Sequence, residues 1–175
     1  MNIPVLVSGT VLIMLFSWFL SIKHKRYHGI ARFFSFESIF ILVMLNTRVW
    51  FNDPFSLQQI VSWILLFSSI YFALAGFFQL RGMGKPTGGN FENTSQLVRK
   101  GLYGYIRHPL YLSLFVLGTG VVMKRPDFVT MSLGLINLLA VYITARIEEQ
   151  EMIKKFGDEY RQYMTDTKMF LPYCL

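Results

Sequence analysis

The chain has 175 residues, of which 53% are hydrophobic and 15% are charged, and its net charge is +7. Soluble domains carry about 25% charged residues, so this composition argues against a water-soluble domain and favours a single membrane domain over residues 1–175. The lysines and arginines occur in short clusters between apolar runs. That pattern is typical of loops facing anionic lipid, and it argues against a nucleic-acid-binding face.

Five apolar runs follow one another along the chain and predict an all-α, polytopic membrane fold with about five transmembrane helices. The first run has a length of about 20 residues, which is enough to cross a hydrocarbon core of about 30 Å. It has no basic segment before it and no small-residue cleavage site after it, so a signal peptide is not predicted. The five predicted helices occupy residues 3–22, 34–51, 57–80, 108–123 and 128–145.

Three polar residues within these runs carry specific expectations. Glu37 is predicted in the first turn of the second helix, where the helix dipole favours a carboxylate. Arg48, near the far end of that helix, is expected to extend its side chain to the membrane interface. Asn137, in the middle of the fifth helix, is expected to face another helix and hydrogen-bond to it.

Two polar segments precede and follow the last two predicted helices. Residues 81–107 form a long glycine-rich loop, and a loop of this length in a compact fold is usually functional or disordered. The tail, residues 146–175, has apolar residues at helical spacing, with a predicted helix break at Gly157. The lone cysteine, Cys174, lies at the end of this tail and predicts no internal disulfide.

Three glutamates of the tail are expected to divide between the buried and the water-exposed face of their helix. Glu148 and Glu149 each precede an apolar-stripe residue by four positions, so both are predicted to face the protein body. Glu151 is predicted on the water-exposed face, paired with Lys155. Two inward carboxylates side by side require a cationic partner, which is either Arg107, Arg99 or Lys100 of the long loop, or a cationic ligand.

The loop charges predict an orientation. With five spans, the first loop, the long loop and the tail share one side of the membrane. Because the first and the long loop hold most of the lysines and arginines, this side is predicted to be cytoplasmic and the N-terminus outside. Lys124 and Arg125 fall on the outer side and weigh slightly against this orientation.

The stretch from Gln96 to Tyr111 reads QLVRKGLYGYIRHPLY. It resembles the pattern LV..G.Y...RHP.Y of the isoprenylcysteine carboxyl methyltransferase and phospholipid methyltransferase superfamily of membrane enzymes. A second block of that superfamily has its counterpart in the glutamates at 148–149, in FGDEYRQY at 156–163 and in Pro172. The two blocks occur in the expected order, and the resemblance covers about the last 85 residues.

The resemblance implies an integral membrane methyltransferase that uses S-adenosylmethionine at the cytosolic face. Its acceptor would be lipophilic or membrane-embedded, for example an isoprenylcysteine carboxylate or a phospholipid head group. No metal and no nucleic-acid partner are implied. By the same resemblance, the cofactor contacts would come from Gln96, Leu97, Val98, Gly101, Tyr103, His108, Pro109, Tyr111, Glu148 and Glu149.

The chemistry of the proposed ligand agrees with these residue types. Inward carboxylates at Glu148 and Glu149 suit an ammonium group or ribose hydroxyls. A ring face of Tyr103 or Tyr111 suits a sulfonium. Arg107 and Glu149 are the expected catalytic residues. The Arg107 fork suits an acidic acceptor group, and Glu149 or His108 would act as a base if the acceptor is an amine.

Two alternatives stay open on the sequence alone. Membrane sterol reductases, which use NADPH, share a related G.Y...RHP.Y element. They usually carry an acidic or polar residue soon after the tyrosine, whereas Leu112, Ser113 and Leu114 follow it here. The second alternative is a non-catalytic membrane protein that retains the fold. The sequence does not specify the acceptor.

Overall fold

The computed structural model describes residues 2–24, 26–87 and 93–172, and the regular secondary structure of these residues is helical. Cys174 lies outside the described residues. Short 3₁₀ turns occur at Ile22–His24, Thr47–Val49 and Gly101–Gly104. The α-helices are α1 (Ile3–Leu20), α2 (His28–Asn46), α3 (Leu57–Met83), α4 (Pro109–Val122), α5 (Phe128–Phe156) and α6 (Asp158–Asp166).

Four of these helices are long and apolar enough to cross a membrane: α1, α2 with its following 3₁₀ turn, α3 and α5. The fifth apolar helix, α4, has only 14 residues. Most of the α1 surface is exposed apolar side chains, as expected of a helix that faces lipid. The polytopic all-α membrane fold predicted from the sequence is confirmed.

Two helices extend well beyond the apolar runs that predicted them. α2 begins at His28, and α5 continues without a break to Phe156. Gly157, with a φ of 59°, ends α5, as its sequence context predicted. Because α2 starts early, Glu37 lies in the middle of the helix and accepts a 2.7 Å hydrogen bond from Thr10. The prediction that placed Glu37 in the first turn was therefore wrong.

The packing of the helices brings one set of their ends together. α1 and α5 pack against α2, and α4 packs against α3 and α5. Successive helices alternate in direction, so the last residues of α1, α3 and α5 lie on the same side as the first residues of α2 and α4. We call this side the loop end, because it carries the long loop and the tail.

Asn137 joins three helices inside the bundle. Its side chain is 1% exposed. The amide donates to the backbone oxygen of Leu114 in α4 at 3.1 Å and accepts from the hydroxyl of Ser35 in α2 at 2.6 Å. Gly118 leaves room for it, since a Cβ at that position would lie 2.2 Å from the amide nitrogen. The predicted contact of Asn137 with a neighbouring helix is confirmed.

A buried lysine joins α3 to the turn after α4 at the end of the bundle opposite the loop end. Lys124 is 3% exposed, and its ammonium group donates to the side chain of Gln59 at 2.9 Å. It also lies 3.7 Å from the ring centroid of Trp63, a cation–π distance. The charge is therefore enclosed by protein. Arg48 belongs to the same end of the bundle and is exposed, as expected for an interfacial arginine.

Replacing Asn137 by alanine should destabilise the helix bundle. The change removes the hydrogen bonds to α2 and α4 and leaves a space beside Gly118, so we expect a loss of about 1–2 kcal/mol. Thermal unfolding in detergent, followed by tryptophan fluorescence, would measure the effect. Asn52→Ala, at an exposed position in the α2–α3 connection, is the matched control and should unfold like the unaltered protein.

Candidate functional site

A cavity of about 220 Å³ opens at the loop end of the bundle. Its walls come from α1 to α6 and from the long loop, so residues far apart in sequence meet there. The cavity brings together seven of the residues singled out in the sequence: Leu97, Val98, Tyr103, Arg107, His108, Tyr111 and Glu148.

The other four residues that the sequence predicted for the site do not line this cavity. Gln96 and Gly101 are exposed, and Gly101 has a φ of 63°, which favours glycine. Pro109 is the buried first residue of α4. Glu149 is 1% exposed and lies behind the cavity wall.

The 3₁₀ turn Gly101–Gly104 is held against both α3 and α6. The Gln79 side chain of α3 accepts a 2.8 Å hydrogen bond from the backbone nitrogen of Leu102. From the other side, the hydroxyl of Tyr163 donates to the backbone oxygen of Tyr103 at 2.7 Å. The loop therefore has a defined position beside the cavity, and burial raises the pKa of the Tyr103 hydroxyl.

A buried ion pair connects the RHP motif to α5. Arg107 Nε and Glu149 Oε1 are 2.7 Å apart, and the two side chains are 9% and 1% exposed. Arg107 Nη1 also donates to the backbone oxygens of Met164 and Thr167 at the end of α6. The Arg107 guanidinium is thus engaged by α5 and by the tail together.

The backbone of the same segment pairs with the tail. The nitrogen of Arg107 donates to the oxygen of Lys168 at 2.8 Å, and that of His108 to the oxygen of Met169 at 3.2 Å. Lys168 returns a hydrogen bond to Tyr105. These bonds and the ion pair fix the tail across the start of α4, so the two sequence blocks form one unit.

His108 lies between the two inward glutamates. Its ring nitrogens are 3.5 Å from Glu148 Oε2 and 3.5 Å from Glu149 Oε1, and its ring stacks on Tyr111 at 5.4 Å between centroids. Burial disfavours the charged ring, but the two neighbouring carboxylates outweigh burial and raise the pKa of His108 above its usual value.

Glu148 carries the carboxylate that reaches the cavity. Its side chain is 20% exposed, with His108 Nδ1 at 3.5 Å and Arg26 Nη2 at 3.7 Å. The prediction that Glu148 and Glu149 face the protein body is confirmed. Of these two glutamates only Glu148 lines the cavity, because the Glu149 carboxylate is paired with Arg107.

The prediction for Glu151 was wrong. Its carboxylate contacts α2, with Oε2 at 2.8 Å from His28 Nδ1 and at 3.5 Å from Arg26 Nε. The predicted partner, Lys155, donates instead to Asn93. The physical reason is the early start of α2, which places its first turn against the last turns of α5.

Sequence reasoning did not assign several residues that complete the cavity. Tyr160 and Tyr163 of α6 are each 3% exposed and contact edge to face. Their place in the apolar stripe indicated burial but not a cavity wall. Arg32 of α2, which also lines the cavity, was counted only as a loop charge. Burial raises the pKa of the Tyr160 hydroxyl, so it stays protonated.

The family model for phospholipid methyltransferases matches residues 57–159. This range holds α3 to α5, the long loop and the start of α6. The chain belongs to the phospholipid methyltransferase family. Membership confirms the superfamily resemblance. The matched range includes the RHP motif, the Arg107–Glu149 ion pair and Glu148.

Curated relatives carry methyltransferase names. Methanethiol S-methyltransferase 1 of Bradyrhizobium diazoefficiens is 26% identical over 138 residues, which is 74% of this chain and 47% of the relative. Protein-S-isoprenylcysteine O-methyltransferase of Schizosaccharomyces pombe is 35% identical over 79 residues, 43% of this chain and 33% of the relative. The chain thus spans about half or less of the length of these relatives. No solved structure matches the chain.

The buried ion pair gives a stability prediction for this family member. Glu149→Gln leaves the Arg107 charge buried without a compensating carboxylate, so we expect a loss of about 3 kcal/mol. Hydrogen exchange of the tail amides of Thr167 to Met169 should speed up at the same time. Both effects are read from thermal unfolding and exchange mass spectrometry in detergent.

Glu159→Gln is the matched control for this change. Glu159 lies 3.4 Å from Arg99 in a pair that is largely exposed, with side chains 60% and 37% exposed. Exposed pairs of this kind contribute about 0–1 kcal/mol. Equal effects of the two substitutions would contradict the importance assigned to the Arg107–Glu149 pair.

Proposed function

We propose that the protein transfers a methyl group from S-adenosylmethionine to a lipophilic acceptor at the loop end of the membrane bundle. The observation that carries the proposal is Glu148, a carboxylate at the edge of a largely apolar cavity in a phospholipid methyltransferase family member. Among the described residues, Glu148 is the carboxylate that lines the cavity, and a carboxylate can hold a cationic group of a ligand.

The residues of the cavity agree with this methyl donor. Glu148 would take the ammonium group or ribose hydroxyls, and the Leu97 and Val98 walls would contact the adenine. Tyr111 and Tyr103 would present aromatic surface toward a sulfonium. The donor supplies an activated methyl group when bound. Gln96, Gly101 and Pro109 remain proposed as residues that shape the loop and the start of α4 around it.

Arg107 and Glu149 remain the proposed functional pair, and the geometry favours a positioning role for both. Their ion pair holds His108 against Glu148 and keeps the tail closed over the cavity. Methyl transfer is an in-line displacement that depends mainly on alignment when the acceptor is an anion. If the acceptor is an amine, His108 is the base candidate that lies on the cavity, and Glu149 would act through it.

The acceptor side of the cavity is proposed to face the bilayer. Phe16 of α1, Phe36 of α2 and Leu114 of α4 supply apolar walls from three helices. The relatives are named for methanethiol, a small thiol, and for isoprenylcysteine, which carries an apolar chain. An acceptor of either kind would suit these apolar walls. Both acceptor classes are therefore proposed.

We also propose that the loop end lies on the cytoplasmic side of the membrane. The basic residues of the first and the long loop lie on this side, which supports it by the positive-inside rule. The position of Lys124 in the sequence was evidence against this orientation. Its ammonium group is enclosed by Trp63 and Gln59, so Lys124 is weak evidence on which side is cytoplasmic.

Isothermal titration with S-adenosylhomocysteine and with NADPH tests the proposal directly. We expect the purified protein to bind the first and not the second. Binding of NADPH alone would support the reductase alternative, and binding of neither would support a non-catalytic protein. Transfer of labelled methyl from S-adenosylmethionine to a lipid extract then tests the reaction.

Glu148→Gln should weaken binding of S-adenosylhomocysteine about tenfold, because a charge-assisted hydrogen bond is replaced by a neutral one. The titration is run on protein whose unfolding temperature matches that of the unaltered protein. Glu159→Gln, on the exposed face of α6, should bind with unchanged affinity. Unchanged affinity of the Glu148 variant would refute the assigned contact.

Arg107→Ala should lower both the turnover and the affinity for S-adenosylhomocysteine by about tenfold or more, since His108 and Glu148 lose their alignment. Arg107→Lys keeps the charge and should recover part of each. Steady-state kinetics and titration are measured separately. A rise in the acceptor KM alone, with cofactor affinity unchanged, would instead assign Arg107 to the acceptor.

A further inference from the structure

Thr94, in the long loop, is a polar residue of the cavity that the sequence did not single out. It lines the cavity and is 6% exposed. Its methyl carbon, Cγ2, faces the end of α3, because a Cβ at Gly84 would lie 2.6 Å from it. The hydroxyl is the other substituent of Cβ and therefore points away from Gly84. Among the described residues this hydroxyl has no hydrogen-bond partner, although a buried hydroxyl normally has one.

Thr94 is held in place through both of its neighbours in the chain. The nitrogen of Ser95 donates to the backbone oxygen of Gly84 at 2.9 Å, which ties the loop to α3. On the other side, the ammonium group of Lys155 in α5 donates to the side-chain oxygen of Asn93 at 3.0 Å. The position of the hydroxyl is therefore set by α3 and α5 together.

Thr94 lies well away from Glu148 along the wall that α5 gives to the cavity. Glu148 and Phe156 both line the cavity, and eight residues of α-helix span about 12 Å. The bond from Lys155 to the residue before Thr94 places Thr94 at the Phe156 end of this wall. His108, 3.5 Å from Glu148, marks the other end.

The acceptor walls decide which way round the donor would lie. S-adenosylmethionine is elongated, with adenine at one end and the sulfonium near the amino-acid end. The transferred methyl must meet the acceptor, whose proposed apolar wall includes Leu114, further along α4 from His108. The sulfonium would therefore lie at the His108 end. The adenine would lie near Thr94, beside the apolar walls of Leu97 and Val98.

Resting on the proposed function, we infer that the Thr94 hydroxyl accepts a hydrogen bond from the 6-amino group of the donor adenine. Thr94 is then a specificity-determining residue for the nucleoside half of the donor. A hydroxyl suits this group because its oxygen has two acceptor lone pairs. The side chains of Leu97 and Val98 are apolar, so they contact the base without forming a hydrogen bond to its edge.

The test compares S-adenosylhomocysteine with its analogue that has hydrogen in place of the 6-amino group. Isothermal titration in detergent should show about fivefold weaker binding of the analogue by the unaltered protein, the effect of one neutral hydrogen bond. Thr94→Val replaces the hydroxyl by a methyl group of similar size. This variant should bind S-adenosylhomocysteine weaker by a similar factor and should bind both ligands equally. Thr94→Ser keeps the hydroxyl and should retain the preference.

A shortened ligand and a matched variant serve as controls. 5′-Methylthioadenosine lacks the amino-acid half of the donor, and Thr94→Val should weaken its binding as much as that of S-adenosylhomocysteine. Thr165→Val is the matched variant, since Thr165 is exposed on α6 and its hydroxyl donates within that helix to Gln162 at 2.7 Å. It should keep the full affinity and the preference. Unfolding temperatures of all variants are measured in the same detergent.

Three results would overturn the inference. The first, which needs no variant, is equal affinity of the unaltered protein for the two ligands. The second is a preference for the amino ligand that survives in Thr94→Val. The third is a loss confined to S-adenosylhomocysteine with 5′-methylthioadenosine unaffected, which would assign Thr94 to the amino-acid half. Failure of the unaltered protein to bind S-adenosylhomocysteine at all would instead refute the proposed function itself.

Discussion

The ion pair between Arg107 and Glu149 is the interaction on which the site depends. Both side chains are almost fully buried, and a buried charge is stable only when its partner is well placed. The pair requires α5 to continue as an unbroken helix far enough to bring Glu149 beside the RHP motif. The same guanidinium donates to the end of α6, so the tail must fold back over the start of α4.

Once α5 is continuous, its helical geometry distributes three carboxylates in three directions. Glu149 meets Arg107, Glu151 meets His28 at the start of α2, and Glu148 reaches the cavity beside His108. Each of the three carboxylates thereby meets a basic group, because Glu148 also lies 3.7 Å from Arg26. Glu148 still lines the cavity, which therefore has a carboxylate without a buried repulsive pair of like charges.

Sequence reasoning succeeded where local periodicity decides the structure. Helical spacing alone turns Glu148 and Glu149 inward, and Gly157 ends a helix because a positive φ is accessible to glycine. It failed for Glu37 and Glu151, since both depend on where α2 begins. The α2 start at His28 contacts Glu151 of α5, more than a hundred residues away, and hydropathy carries no signal for such a pairing. The part of the site contributed by Arg32 was missed for the same reason.

The short fourth helix sets the depth of the site. With 14 residues, α4 is about 21 Å long, less than a hydrocarbon core of about 30 Å. Its far end is held to α3 by Lys124 and by the hydrogen bond from Ser62 to Gly120. Its first turn lies beside Gly76 of α3, about two turns before α3 ends at Met83. The non-helical backbone before α4 is covered by the tail, whose carbonyl oxygens accept hydrogen bonds from the nitrogens of Arg107 and His108. Backbone groups shielded from water need such partners. In the proposed function, a recessed and covered site of this kind lets a polar donor that enters from the water meet an apolar acceptor that enters from the bilayer.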